Sequence, residues 1–269
     1  MKLRAKFDQE LASLGLPSGP APTTLLAPIT ESELAPLPDA ARRYLRFMRV
    51  LDRPRGWSFR LGMRGRFRRS LDEAWMDCEA WQYNTRVALA RIFYMELRFF
   101  GVLPVIGRDT YVDGRGRMLI RLLDLVTLGD GTGEAYDVGE LVTYLNDGVM
   151  IAPALLLVPE VTWSAVDDHS FDVALTDHGR TVRARVLLDE RGAPSDFHTT
   201  DRFYSEPKDA AKATRCLWTT PIAGWQEVEG RMLPTAGQAV WHPPGEPALS
   251  YAELSFDAST LAFNVAPGA

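Results

Sequence analysis

From Trp57 onward the chain alternates. In the stretch WSFRLGMRGRFRRS, residues 57–70, Phe59, Leu61, Met63 and Phe67 fall on one side of an extended backbone and Arg60, Arg64, Arg66 and Arg68 on the other. A period of two cannot make an amphipathic helix; it describes a half-buried antiparallel strand. Similar segments follow at about 91–100, 107–113, 117–128, 161–166, 170–176, 181–189, 195–204, 214–219, 235–242 and 249–256, separated by turn-formers such as DGRG, DHGR, DERGAP and HPPGEP. Strands this numerous and closely spaced predict a mainly β (α+β) fold, with one large curved antiparallel sheet or open half-barrel.

Three segments break the pattern. Leu3, Phe7, Leu11 and Leu14 recur at helical spacing before the breaker GLPSGPAPTT, which predicts a short amphipathic helix followed by a linker. Asp39 is a good N-cap for a second helix to about Met48, striped by Ala40, Tyr44, Leu45 and Met48. Both stripes suit packing against a sheet. Residues 137–158 carry Val138, Leu141, Val142 and Leu145 and lead into the apolar run VMIAPALLLV, a helical lid for the sheet. The division expected is 1–36 as N-terminal helix and linker, and 37–269 as a single β-rich domain.

Composition narrows the function. A formal net charge of −5 argues against general nucleic-acid binding, which needs a basic surface to displace counterions. Cys78 and Cys216 lack any C-x-x-C partner and read as two free thiols. The start has no apolar stretch of signal-peptide length, and the ten-residue run above contains Pro153 and is too short to span a bilayer. The expectation is a soluble, cytoplasmic protein without a transmembrane segment.

No cofactor motif survives inspection. GDGTGE lacks the Lys-Ser or Lys-Thr of a phosphate loop, and Asp130, Thr132 and Glu134 lack the rest of a calcium loop. His169, His178, His198 and His242 show no zinc spacing, so neither metal nor cofactor is expected. The arginines opposite Phe59 to Phe67 fit either a solvated outer face with acidic partners on neighbouring strands or a dock for an acidic partner or anionic headgroup.

The stretch GRDTYVDGRGRM, residues 107–118, is the most suggestive. If Asp113-Gly114 closes a hairpin through an even-numbered loop, Asp109 and Tyr111 share a face with Met118, Ile120 and Leu122, while Arg108, Thr110, Arg117 and Arg121 face water. A carboxylate on the apolar side must be hydrogen-bonded or face a cavity, and its pKa should rise there. In IFYMELRFF, Phe93, Met95, Leu97 and Phe99 make an apolar face, with Tyr94, Glu96 and Arg98 on the other. Asp109, Tyr111 and Glu96, with Glu79 as a further acid, are therefore the candidate catalytic groups. Phe93, Met95, Met118, Ile120, Leu155 and Leu156 are the candidate ligand contacts.

The ordered string LPDAARRYLRF, W-x-x-x-E-x-W-Q at Trp75 to Gln82, GRDTYVDGRGRM, GEAYDVGELVTYL with PALLL, TTDRFY and GWQEVEGRMLPTAGQAVW resembles an uncharacterised bacterial family carrying a domain of unknown function. The resemblance runs from about residue 37 to the end. The order of elements also resembles the half-barrel of lipoprotein carriers, which implies a greasy cavity between a concave sheet and its lid. The functional expectation is a protein that binds an apolar or amphipathic small molecule there, a lipophilic partner rather than a nucleic acid. The alternative is a cofactor-independent cyclase, isomerase or hydrolase using the acids and tyrosine above.

Overall fold

The structure, a computed structural model, describes residues 3–20, 27–206 and 209–269. Fourteen strands form one antiparallel sheet. The first half is a meander of β1 (Ser58–Phe67), β2 (Met76–Thr85), β3 (Ala90–Phe99), β4 (Leu103–Val112), β5 (Arg115–Leu122) and β6 (Val126–Thr132). The second half is β7 (Val161–Asp167), β8 (Ser170–Asp177), β9 (Arg180–Leu188), β10 (Pro194–Glu206), β11 (Asp209–Thr219), β12 (Ile222–Val228), β13 (Arg231–His242) and β14 (Leu249–Phe263). Across the sheet the order is β6-β5-β4-β3-β2-β1-β14-β13-β11-β10-β9-β8-β7, with β12 paired to β13 off this path. The two halves therefore meet where β1 pairs with β14. The sheet curves into an open half-barrel, with β6 and β7 as its free edges.

Among the described residues four helices accompany it: α1 (Leu3–Ser13), α2 (Glu31–Leu34), α3 (Asp39–Phe47) and α4 (Glu134–Met150). The apolar stripe of α1, Leu3, Phe7 and Leu11, packs on Tyr83, Ile92, Tyr94 and Ile106 of the convex face. Strand β3 is thus covered on both sides, which explains its mixed second face. Helix α3 starts at Asp39, but the N-cap is Pro38 and not Asp39, which pairs with Arg42 in the first turn.

Helix α4 lies against the concave face and is followed by a 3-10 turn, Pro153–Leu156. It covers the sheet as expected of a helical lid. Every residue from Asp137 to Met150 is buried. Its N-terminal end is tied by Asp137, whose Oδ1 accepts from the Gly116 amide at 2.8 Å and whose Oδ2 accepts from Arg180 Nη2 at 2.7 Å and Arg115 Nη1 at 3.2 Å. Its body belongs to the core formed with α3 and β7–β11, and its last residue, Met150, to the core formed with β1–β3 and β14.

Candidate functional site

Between α4 and the concave face lies a cavity of about 840 Å³. Its walls follow from strand register. Val112 pairs with Arg115, so Asp113 and Gly114 form a two-residue loop, both with positive φ (51° and 71°), as a type I′ hairpin requires. The loop is even, so Asp109 lies opposite Met118 and shares the concave face with Ile120 and Leu122.

Successive cross-strand rows then grade from polar to apolar. The deepest row is Asn84, Arg91 and Tyr111; the next is Gln82, Phe93, Asp109 and Met118. Above them come Ala80, Met95, Gly107 and Ile120, then Cys78, Leu97, Val105 and Leu122. Gly107 leaves room in its row for the Met95 thioether, since a Cβ there would stand 2.5 Å from Met95 Cε and would have to displace that side chain. The cavity thus has an apolar barrel and a polar floor.

The floor is built around a buried cation. Arg91 Nη1 donates to Glu140 Oε2 at 2.8 Å and its Nε to Asp147 Oδ2 at 2.7 Å. Asn84 Nδ2 reaches the same Asp147 oxygen at 3.1 Å, and Gln82 Nε2 also donates to it. Thr143, Asn146, Asp147, Met150 and Ile151 present one stripe of α4 and its continuation to the cavity. From the opposite wall Arg202 enters, its guanidinium 4.4 Å from the Trp218 ring centre and 5.4 Å from that of Trp241.

Asp109 sits among these charges without joining them. Its Oδ1 is shielded from solvent and has no hydrogen-bond partner, and the residue's remaining accessible surface belongs to a cavity-lining side chain. Burial, reinforced by the negative charge of Glu140 and opposed by Arg91 and Arg202, pushes its carboxyl up to about 7. Burial also raises Asp147, against the pull of Arg91. Among the described residues no three His, Cys, Asp or Glu side chains gather closely enough to hold a metal ion.

The other sequence candidates divide. Phe93, Met95, Met118 and Ile120 line the cavity with Asp109. Tyr111 does not reach it: the ring is buried in the core one row below, and its hydroxyl donates to Asp177 Oδ2 at 2.6 Å. Glu96 lies on the convex face opposite Glu79, 3.4 Å from Arg98. Leu155 and Leu156 are core residues, because the chain turns beneath the sheet after α4; Leu156 packs on Gly148. On the arginine side, Arg66 pairs with Glu253 at 2.7 Å, the acidic neighbour expected of an outer face, while Arg68 and Arg69 reach the cavity mouth. His198 is held by Asp196 at 2.9 Å.

Arg91, Glu140 and Asp147 escaped sequence reasoning, although a signal was there. Glu140 and Asp147 are seven residues apart, two turns along one face of an otherwise apolar helix, and Arg91 shares strand parity with Phe93 and Met95. Charges in such positions need each other.

A model of a family of unknown function (DUF6544) matches residues 27–254. No curated protein matches the chain. Among solved structures it is similar to the LolA superfamily protein NE2245 from Nitrosomonas europaea, with 11% identity, a TM-score of 0.35, and coverage of 81% of this chain and 91% of that one.

Proposed function

We propose, for a chain that belongs to this family of unknown function, that it binds an apolar or amphipathic small molecule in the cavity between the concave sheet and α4. The observation that carries this reading is the polarity gradient of the concave face, from a charged floor to walls of Phe, Met, Ile and Leu. A volume of about 840 Å³ lies in the range of small-molecule sites, and Gln82, Arg91, Asp109 and Asp147 converge at its floor, as an amphiphile's head requires, while Arg68 and Arg69 stand at its mouth. The buried free thiols Cys78 and Cys216 support a reducing compartment, the cytoplasm.

The test fills the barrel. Ile120→Trp should abolish displacement-sensitive binding of a fluorescent fatty acid while leaving a cooperative melt, and native mass spectrometry of the unmodified protein should show a bound lipophile. A folded Ile120→Trp variant with unchanged affinity would place binding elsewhere.

A second reading rests on Asp109. A carboxyl whose Oδ1 has no hydrogen-bond partner and which burial pushes up to about 7, at the floor of an apolar cavity, suits a general acid or base, so a cofactor-independent isomerase, cyclase or hydrolase would use it alone, without Tyr111 or Glu96. Turnover of a bound lipophile that Asp109→Asn abolishes while affinity persists would establish that reading over simple carriage.

A further inference from the structure

Among the described residues, ten large apolar side chains are exposed, and nine of them lie in three adjacent hairpins at one end of the sheet. These are the loops joining β1 to β2, β3 to β4 and β5 to β6, which carry Leu71, the Phe99–Leu103 tip and the Leu123–Leu128 tip. The most exposed are Phe100 at 81%, Leu125 at 75% and Val102 at 73%. The cavity opens at the same end, because Phe99, Leu128, Arg68 and Arg69 belong both to its wall and to this rim.

At the opposite end, left-handed turn positions fall on Asp113-Gly114, His178-Gly179 and Glu229-Gly230, and on Leu89 (φ 39°) between β2 and β3. At the rim the same conformation falls on Phe100 (φ 51°), which Gly101 (φ 75°) follows, and on Leu123 (φ 54°), which Asp124 (φ 57°) follows, so that bulky apolar residues stand at the turn positions themselves. Phe100 touches the Phe99 ring, with centroids 4.2 Å apart, and both Phe100 and Leu123 remain exposed to solvent.

We infer that the rim is a docking surface for a zwitterionic lipid bilayer, into whose interface the β3–β4 and β5–β6 tips insert. Charge selects this occupant. Residues Phe99 to Leu103 and Leu125 to Leu128 bear no charge at all, and the charges just behind them are offset: Arg69 pairs with Glu73 at 2.7 Å, Arg98 with Glu96 at 3.4 Å and Arg121 with Asp124 at 3.2 Å, while Arg68 lies over the Trp75 ring in a loop that also carries Asp72. Apolar tips backed by neutralised pairs suit hydrocarbon beneath headgroups of no net charge. The mouth then faces the phase in which a lipophile dissolves. This proposal rests on the cavity reading for its purpose, and the measurement separates the two.

The experiment is co-flotation of the full chain with phosphatidylcholine vesicles at about 0.15 M and about 1 M salt, where screening differs strongly. The wild type should float equally at both. Phe100→Asp and Leu125→Asp, neither of which lines the cavity, should each lower vesicle partition, and together by about tenfold or more. Both variants should keep the wild-type melt and bind a fluorescent fatty acid normally in vesicle-free buffer. Failure of the wild type to float overturns the proposal, as does equal flotation of the double variant. Binding confined to anionic vesicles and lost at high salt overturns it too, as does a wild-type dimer that the substitutions dissociate without any vesicle binding. Loss of fatty-acid binding in the unmodified protein would instead defeat the cavity reading.

Discussion

Replacing Asp109 by Asn should stabilise the protein, and more so as the pH rises. In the folded chain the carboxyl keeps its proton to about pH 7, whereas at its ordinary value of 3.8 the unfolded chain has already released it. The folded state therefore binds more protons between those two values, so the wild type loses stability as pH rises from about 4 to 7 and levels off above. At about 1.4 kcal/mol per pH unit, the displacement sets an upper limit of about 4 kcal/mol on the penalty at high pH, less whatever water in the cavity screens. Asparagine keeps the shape and has no charge to desolvate. Oδ1 makes no hydrogen bond that the substitution would break. Between pH 5 and pH 8 the advantage of the variant should grow by roughly 2 to 3 kcal/mol, seen as a difference in Tm that widens by about 5–10 °C for a chain of this size. Circular-dichroism melts of both proteins at the two pH values measure it. A variant less stable than wild type at pH 8, or a difference that does not change with pH, would show that Asp109 is an ionised partner in the network and refute the reasoning.

Other substitutions probe the frame around that floor. Arg91→Met strands Glu140 and Asp147 as buried charges without their cation and should cost on the order of 3–5 kcal/mol in urea unfolding. Gly65→Ala would set a Cβ 1.9 Å from the Glu253 carbonyl oxygen on the neighbouring strand, so β1 and β14 must part; a loss of about 1–3 kcal/mol should appear in the same assay.

Sequence patterning revealed a strand where one face met a core and the other met water. Strand β2 escaped it because its concave side reads Met76, Cys78, Ala80, Gln82 and Asn84, small and polar residues that face the buried network. Strand β12 escaped because it is a half-exposed strand on a branch of the sheet. Strands β5 and β6 were fused into one segment, 117–128, because Leu123 and Leu125 occupy a turn where polar punctuation is the rule. Asp109 was legible because the parity of an Asp-Gly hairpin fixes which face a residue takes. Glu96 failed as a candidate because α1 gives the convex face of β3 an apolar covering that imitates a second interior. Leu155 and Leu156 failed because an apolar run records burial without saying whether a cavity or a core does the burying.

The pairing of β1 with β14 has a consequence for synthesis. Of the strands in this sheet a ribosome makes β1 first and β14 last, yet they are neighbours at its middle. Until β14 emerges, the nascent chain holds two half-sheets whose inner edges, β1 and β13, are unpaired and open to pairing with other chains. The native sheet is therefore completed only once β14 has been made, by a contact between distant parts of the chain, which makes folding slow for its size. Cells that express this protein must guard those two edges for the whole of that interval.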